Sequence, residues 1–342
     1  MPEIEIHKNM TFVTLVIVTY GDRWRLLSPI LAFAEANTTI NEIVVVDNGT
    51  RISICDRVRR AGFNKVIIVR LENNLGSAQG FKTGIETALE RGADYIWLLD
   101  DDNLPQSGSL DALLKVSDSL STIYPLNDFA LASFRYDHQG DIADGVPLDR
   151  FCPKPDSFLG FHLYDIPYKF WRRTLWGKPK PPELLPETLQ IPTAPYSGFF
   201  FHRSLIQRIG TPNPAFVLYA DDTEFTYRLS RSGGKIFLVT KSHINDLEES
   251  WNSKAKFAST FHGWLCGNGE LRAYYGARNH TYIGLQTGRN TALRNVNKFI
   301  YIFMLIVLAL INNRMSRLRL LLYAIRHGEA GLMGINIKFP LS

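Results

Sequence analysis

Between residues 13 and 100 the chain alternates two hydrophobic rhythms. Residues 13–20, 42–47, 65–70 and 95–100 carry Val, Ile and Leu at successive positions, as strands buried on both faces of a parallel sheet do. Between them, residues 24–36, 52–61 and 78–91 have the apolar spacing and length of helices. The order β-α-β-α-β-α-β predicts a doubly wound, mostly parallel α/β sheet. Ligands of such a sheet bind beyond the carboxyl ends of its strands. Those ends are polar here: Thr19-Tyr20-Gly21-Asp22, Asp47-Asn48-Gly49 and Asp100-Asp101-Asp102-Asn103.

The rhythm then breaks. Residues 151–196 are rich in aromatic side chains, among them Trp171, Trp176 and Tyr196, and dense in proline from 179 to 195, which predicts a long loop. Regular structure resumes with a strand at 198–202, a short helix at 204–210, a helix at 222–232 stopped by Gly233-Gly234, and a strand at 235–240. The remainder from 251 predicts a helical appendage, dividing the chain at 1–250 and 251–342. Within it residues 299–311 form an uninterrupted apolar run of 13 residues, shorter than the roughly 17 to 25 that span a bilayer. Met315, Leu318, Leu322 and Ile325 follow at helical spacing with arginines along their border. That stripe fits a helix lying at a membrane surface, or a hairpin packed on the body or on a second subunit.

Charge sharpens this division. Residues 271–342 hold ten Lys and Arg against one acid, Glu329, so this segment is +9 while the rest is −4. An acidic body with a basic tail argues against a nucleic-acid binder and for an anionic membrane surface or lipid phosphate as partner. Cys55, Cys152 and Cys266 are scattered without metal or disulfide spacing, which predicts a reducing, cytoplasmic setting. Glu3 and Glu5 stand where an export signal needs positive charge.

The chemistry-bearing positions are few. Asp100, Asp101 and Asp102 repel one another unless a cation neutralises them, and alternate carboxylates of an extended chain can reach one ion. Oxygen ligands of this kind suit Mn²⁺ or Mg²⁺ on a diphosphate. Asp47 is either a turn residue or an acceptor for a nucleotide base or ribose. Residues 73–84, including Asn74, Gly76 and Gly80, form a strand-to-helix loop that either admits an anion to backbone amides or packs helix on sheet. It matches neither dinucleotide nor P-loop signatures. Asp221 and Asp222 open a helix, one as N-cap and one free as general base. His243 is a third metal ligand or a structural histidine.

Taken in order, the strand ending in Thr19-Tyr20, Val46-Asp47-Asn48-Gly49, Asn74-Leu75-Gly76-Ser77-Ala78-Gln79-Gly80-Phe81, Trp97-Leu98-Leu99-Asp100-Asp101-Asp102, Ser197-Gly198-Phe199-Phe200, Asp221-Asp222-Thr223-Glu224-Phe225 and His243 resemble the inverting family 2 glycosyltransferases of GT-A fold. Coverage is about residues 11–245. The acidic triplet, Asp-Asp-x-Glu-Phe, the downstream His and Tyr274-Tyr275-x-x-Arg278-Asn279 are most similar to bacterial galactofuranosyltransferases, whereas rhamnosyl-transferring relatives using dTDP-rhamnose usually carry Gln in the triplet. The resemblance implies a UDP-sugar donor and a glycan acceptor, and the basic, apolar C-terminal pattern adds peripheral attachment to the inner face of the plasma membrane, near a lipid-linked acceptor. It implies Asp100, Asp102 and His243 as ligands of Mn²⁺ or Mg²⁺ and Asp222 as base, with Asp221 the alternative. Thr19, Asp47, Asn74, Gly76, Asp100 and Asp101 then line the donor site. Lys82 stands where relatives often have Asn, and residues 151–196, placed on the acceptor side, have no counterpart. A nucleotidyltransferase would use the same sheet but a glycine-rich first loop, which Thr19-Tyr20-Gly21-Asp22-Arg23 is not. A purely lipid- or polyanion-binding protein would leave both acidic motifs unused.

Overall fold

The computed structural model describes residues 11–248, 260–267 and 269–341. Its first half follows the predicted rhythm: β1 (Val13–Thr19), α1 (Trp24–Ala36), β2 (Ile40–Asn48), α2 (Ile54–Ala61), β3 (Val66–Leu71), α3 (Ser77–Glu90) and β4 (Tyr95–Asp100). The chain continues through β5 (Asn103–Pro105), α4 (Ser109–Ser121), β6 (Phe129–Arg135), α5 (Tyr136–Ala143), α6 (Leu148–Phe151), α7 (Ile166–Trp171), β7 (Thr188–Ile191), β8 (Phe199–His202), α8 (Ser204–Ile209), α9 (Asp221–Arg231) and β9 (Lys235–Asp246). Four helices close it: α10 (Thr260–Cys266), α11 (Glu270–Thr287), α12 (Thr291–Ile311) and α13 (Met315–Glu329).

One nine-stranded sheet runs in the order β3-β2-β1-β4-β8-β6-β9-β5, with β7 paired to β9. Strands β1, β2, β3, β4, β6 and β9 point one way, and β5, β7 and β8 the other. The sheet is thus mostly parallel, as expected. Alternation sorts each inner strand between two cores. Val16, Val18, Ile96 and Leu98 meet Phe81 and Ile85 of α3 on one face. Leu15, Ile17, Trp97 and Leu99 meet Leu27, Ile30 and Leu31 of α1 on the other. Because α1 and α3 cover opposite faces, the crevice between the carboxyl ends of β1 and β4 is the topological switch point. The edge strand β3 is the exception to burial on both faces, for all its residues keep some exposure.

Three differences from the sequence reading matter. The proline-dense stretch contains β7, whose partner is the remote β9. Strand β9 runs six residues beyond the expected end, because its second half pairs with β5 and β6. The stripe of α13 is largely core: Leu318, Leu321, Ala324 and Ile325 are buried with Ala273, Tyr274 and Ala277 of α11. The hairpin alternative therefore describes α13, and the lipid-facing one does not.

The exposed apolar surface lies on α12 instead. Asn297, Tyr301, Leu305 and Ala309 face inward, while Val296, Phe299, Phe303, Ile306 and Leu310 face solvent as a second stripe. Residues 299–311 are part of a 21-residue helix, the one helix among the described residues long and apolar enough to cross a membrane, with mean hydropathy 1.7 and 22% of that window buried. A buried helix of a soluble core passes the same length and composition test.

Helix α3 lies close on the sheet because it carries glycine where it crosses β1. A Cβ at Gly84 would stand 2.4 Å from Val16 Cγ1, and one at Gly80 2.5 Å from Val18 Cγ1. Gly84→Ala should therefore lower stability by about 1–3 kcal/mol through overpacking, outweighing the ~1 kcal/mol gained in helix propensity. Urea unfolding checks this, and an unchanged or higher midpoint would show that α3 has slack.

Candidate active site

A cavity of about 570 Å³ opens at the switch point, and the three acids of residues 100–102 form one wall. They do not alternate along extended chain as expected: β4 ends at Asp100, and Asp101 and Asp102 form the turn into β5. Asp101 turns into the body, where it accepts from Thr19 Oγ1 at 2.7 Å and Arg23 Nε at 2.8 Å. Arg23 Nη2 also reaches Asp102 Oδ2 at 3.0 Å, and its Nη1 reaches Glu248 at 2.7 Å. Asp100 has no such direct cation. Burial first, then the neighbouring Asp102, pushes its carboxyl up to about 7, while burial raises Asp101 to about 6 and Asp102 above the ordinary range. Carboxylates held short of positive charge in this way fit a divalent cation with hard oxygen ligands.

His243 does not join them. On β9 the even positions Ser242 and Ile244 are buried and the odd positions His243 and Asn245 exposed, so His243 projects from the face that turns away, with its ring edge against Phe134. Its expected ligand role is corrected by strand parity: Asp246, three residues on, lies on the cavity wall instead. Asp246 accepts from Arg135 Nε at 3.0 Å and Nη2 at 2.5 Å, and from Asn103 Nδ2 at 2.5 Å. Beside it, burial and Arg135 hold His138 down to about 4, hence neutral. Among the described residues no three His, Cys, Asp or Glu side chains converge as a ready metal cage.

Of the expected donor residues, Asn74, Gly76, Asp100 and Asp101 line the cavity; Thr19 and Asp47 stand behind its wall. Asp47 is buried, accepts from Thr50 N at 2.9 Å and faces Arg70 at 3.5 Å, which is the turn geometry of the first alternative. Asn48 is the residue that reaches the loop: its amide donates to Asn74 Oδ1 and Gly76 O and accepts from Leu75 N.

The opposite wall holds Asp221 and Asp222. Neither is the N-cap of α9, since Ala220 occupies that position; both lie in the first turn. Asp221 accepts from Ser77 Oγ at 2.7 Å and Asp222 from the amide and hydroxyl of Thr223. Burial and the adjacent carboxylate raise Asp221 to about 8, and burial raises Asp222. The approach to them is strained. Val217, Tyr219 and Ala220 have φ of 68°, 64° and 60°, each costing of order 1–3 kcal/mol unless surroundings enforce it. Asn279 of α11 enforces it: its buried amide donates to the carbonyls of Phe216, Leu218 and Tyr219 at 2.8–2.9 Å. Arg278 donates to Phe216 O and Gly334 O. Across the loop, Val217 O receives Ala78 N and would stand 1.9 Å from a Cβ at Gly76, whose φ is +89°. Gly76 thus serves close packing.

A residue in the proline-dense stretch completes the wall. Tyr196 is buried beside Asp221 and Asp222, and its hydroxyl has no partner. Of residues 151–196, only Pro195 and Tyr196 line the cavity. The functional pattern missed Asp246, Arg135 and Arg23, for which only the strand-end position of Arg135 and the location of Arg23 after β1 were signals.

The family profile described as glycosyl transferase family 2 matches residues 14–210, more than half of the chain. The chain belongs to glycosyl transferase family 2. It is 26% identical over 290 residues to galactofuranosyltransferase GlfT1 of Mycolicibacterium smegmatis, covering 83% of this chain and 81% of that protein. Over 166 residues it is 30% identical to the GlfT1 of Mycobacterium tuberculosis, covering 47% of this chain and 45% of that one. Among solved structures, GalNAc-T7 with UDP, GalNAc and Mn²⁺ aligns with TM-score 0.53 at 14% identity, over 85% of this chain and 54% of its own. That likeness shows the GT-A fold, on which this family member carries a glycosyltransferase activity.

The crowded acids give a stability signature. Raised carboxyl pKa values mean that these acids contribute stability that is lost as pH rises through about 6 to 8, whereas burial holds His138 and His280 down to about 4, so those histidines oppose folding on acidification below about 6.5. The acids are therefore read by substitution: Asp100→Asn should raise the melting point of the metal-free protein at pH 8 by a few degrees and lose that advantage towards pH 5. An Asp100→Asn protein destabilised at pH 8, or stabilised equally at pH 5, would contradict the geometry.

Proposed function

We propose that this family 2 glycosyltransferase transfers galactofuranose from UDP-galactofuranose, with inversion, to a hydroxyl of a growing lipid-linked glycan. The observation that carries the reading is that Asp100, Asp102, Asp221 and Asp222 line one cavity, together with Tyr196. The kinship to two galactofuranosyltransferases supports the sugar. Asp100 and Asp102 would hold Mn²⁺ or Mg²⁺, which would supply charge stabilisation to the departing diphosphate.

The chain's own residues do the rest. Asn74, Gly76 and Ser77 border the cavity on the nucleotide side, and Arg23 pairs with Asp101, Asp102 and Glu248, offsetting part of their charge until the donor arrives. Asp222 takes the acceptor hydroxyl proton as that oxygen bonds to the anomeric carbon from the face opposite the leaving group, and UDP departs with the electron pair of the broken C–O bond. Asp221 is fixed by Ser77, and burial keeps Asp222 basic. Tyr196 stands beside these acids with its hydroxyl buried. The cytoplasmic enzyme works at the inner face of the plasma membrane, with the outward stripe of α12 as its attachment.

Turnover followed as UDP release tests this. Asp222→Asn should lower kcat by roughly 10²–10⁴-fold with donor affinity unchanged, and excess EDTA should stop the reaction. If Asp221→Asn is inactive and Asp222→Asn active, the roles are exchanged. Release of pyrophosphate in place of UDP would make the protein a nucleotidyltransferase and overturn the reading.

A further inference from the structure

Between the catalytic cavity and the helical appendage runs a segment that belongs to neither. Phe158 and Phe161 pack on Tyr301 of α12, and Leu163 N donates to Asn297 Oδ1 at 2.9 Å. Asp156 fastens the same stretch by accepting from Arg289 N and Asn290 N. Beyond this fastening, residues 164–180 leave the core. Trp171 is 52% exposed, Leu175 82% and Trp176 87%, with Tyr164, Ile166 and Phe170 also open to solvent. None of these side chains lines the cavity, so sugar stacking in that cavity does not account for them.

Their neighbours in sequence are all of one charge. Lys169, Arg172, Arg173, Lys178 and Lys180 lie among these aromatics, and no acid occurs from 166 to 182; Arg172 reaches Asp141 of α5 at 3.9 Å. Asp165, just before, is engaged by Lys154 and Arg150. A surface of exposed tryptophan interleaved with lysine and arginine combines two requirements of a bilayer headgroup layer: rings with an apolar body and a polar edge, and cations that meet anionic lipid. The charge argues against a second copy: a two-fold contact through this patch would set five cations against five.

We propose that residues 164–180 form a membrane-docking element that inserts Trp171 and Trp176 into the headgroup region of an anionic bilayer. It is separate from the outward stripe of α12 and is fixed to that helix through Asn297 and Tyr301. A second docking point beside that helix sets the orientation of the cavity relative to the membrane, which one helix alone leaves free to rotate.

The test uses the full chain and vesicles of phosphatidylcholine with or without phosphatidylglycerol, some carrying bromine on their acyl chains. Wild-type protein should co-sediment with the anionic vesicles, and the brominated lipid should quench its tryptophan emission. Trp171→Phe/Trp176→Phe should still bind but lose at least half of that quenching. Lys169→Gln/Arg173→Gln/Lys178→Gln/Lys180→Gln should bind at least about tenfold more weakly, since each cation near an anionic surface contributes appreciably. Both variants change exposed side chains, and circular dichroism with UDP release confirms that each is folded and active. Equal quenching of wild type and the tryptophan variant, or full affinity in the charge variant, overturns the proposal. Affinity lost only when Phe299 and Phe303 of α12 are made polar would also overturn it and leave attachment to α12 alone. Concentration-dependent dimerisation abolished by the tryptophan variant would assign the patch to self-association. Because UDP release is read in solution, failure of the catalytic reading shows separately from failure of docking.

Discussion

The site depends on one constraint: a short backbone segment that runs left-handed without glycine. Val217, Tyr219 and Ala220 would relax to ordinary conformations if free. They are held because the Asn279 amide donates to three of the segment's carbonyls from one side while, on the other, the Ala78 amide donates to Val217 O in the space that Gly76 leaves. Removing either support would leave buried carbonyls without donors as well as releasing strain. The constraint matters because the next two residues are Asp221 and Asp222, so the helical appendage fixes the acids on the far side of the cavity. Catalytic body and C-terminal helices are therefore one machine, in which α11 reaches into the active site through its buried face.

The two walls of the cavity use opposite electrostatic strategies. At residues 100–102, Arg23 compensates Asp101 and partly Asp102 but leaves Asp100 without direct pairing. Arg135 is bound to Asp246 at the side. The result is a place where a cation is wanted and none of the chain's own is seated. At Asp221 and Asp222 the stabilising groups are hydroxyls and an amide of α9 with no full positive charge, so burial keeps these acids basic. One cavity thus holds acids left short of positive charge beside acids kept basic by burial, which is the separation of roles that the proposed displacement on a sugar diphosphate needs.

Much of this was legible in the sequence. The apolar runs of β1, β2 and β4 are local and long enough to announce themselves, and their polar ends marked the switch point before any fold was known. The failures are physical in kind. β6 and β7 owe their existence to partners a hundred residues away or to pairing with β9, and no local pattern encodes such pairing. The length of β9 then decided the fate of His243: ending the strand at 240 leaves its side chain free to turn inward, whereas continuing it imposes a parity that faces it outward and presents Asp246. Likewise Tyr274-Tyr275-x-x-Arg278-Asn279 stood out as a motif, yet its work, holding carbonyls of a loop sixty residues earlier, became visible only in three dimensions.

The central claim is that the donor wall and the base wall are built separately and meet in one cavity, with Asn279 serving the second. Comparing UDP affinity in the presence of Mn²⁺ with turnover in Asn279→Ala tests it most directly. The account predicts UDP affinity within about threefold of wild type and turnover lower by roughly a hundredfold or more, because the donor wall is intact and the acids are displaced. Unchanged turnover, or a loss of UDP affinity as large as the loss of turnover in a folded protein, would contradict it.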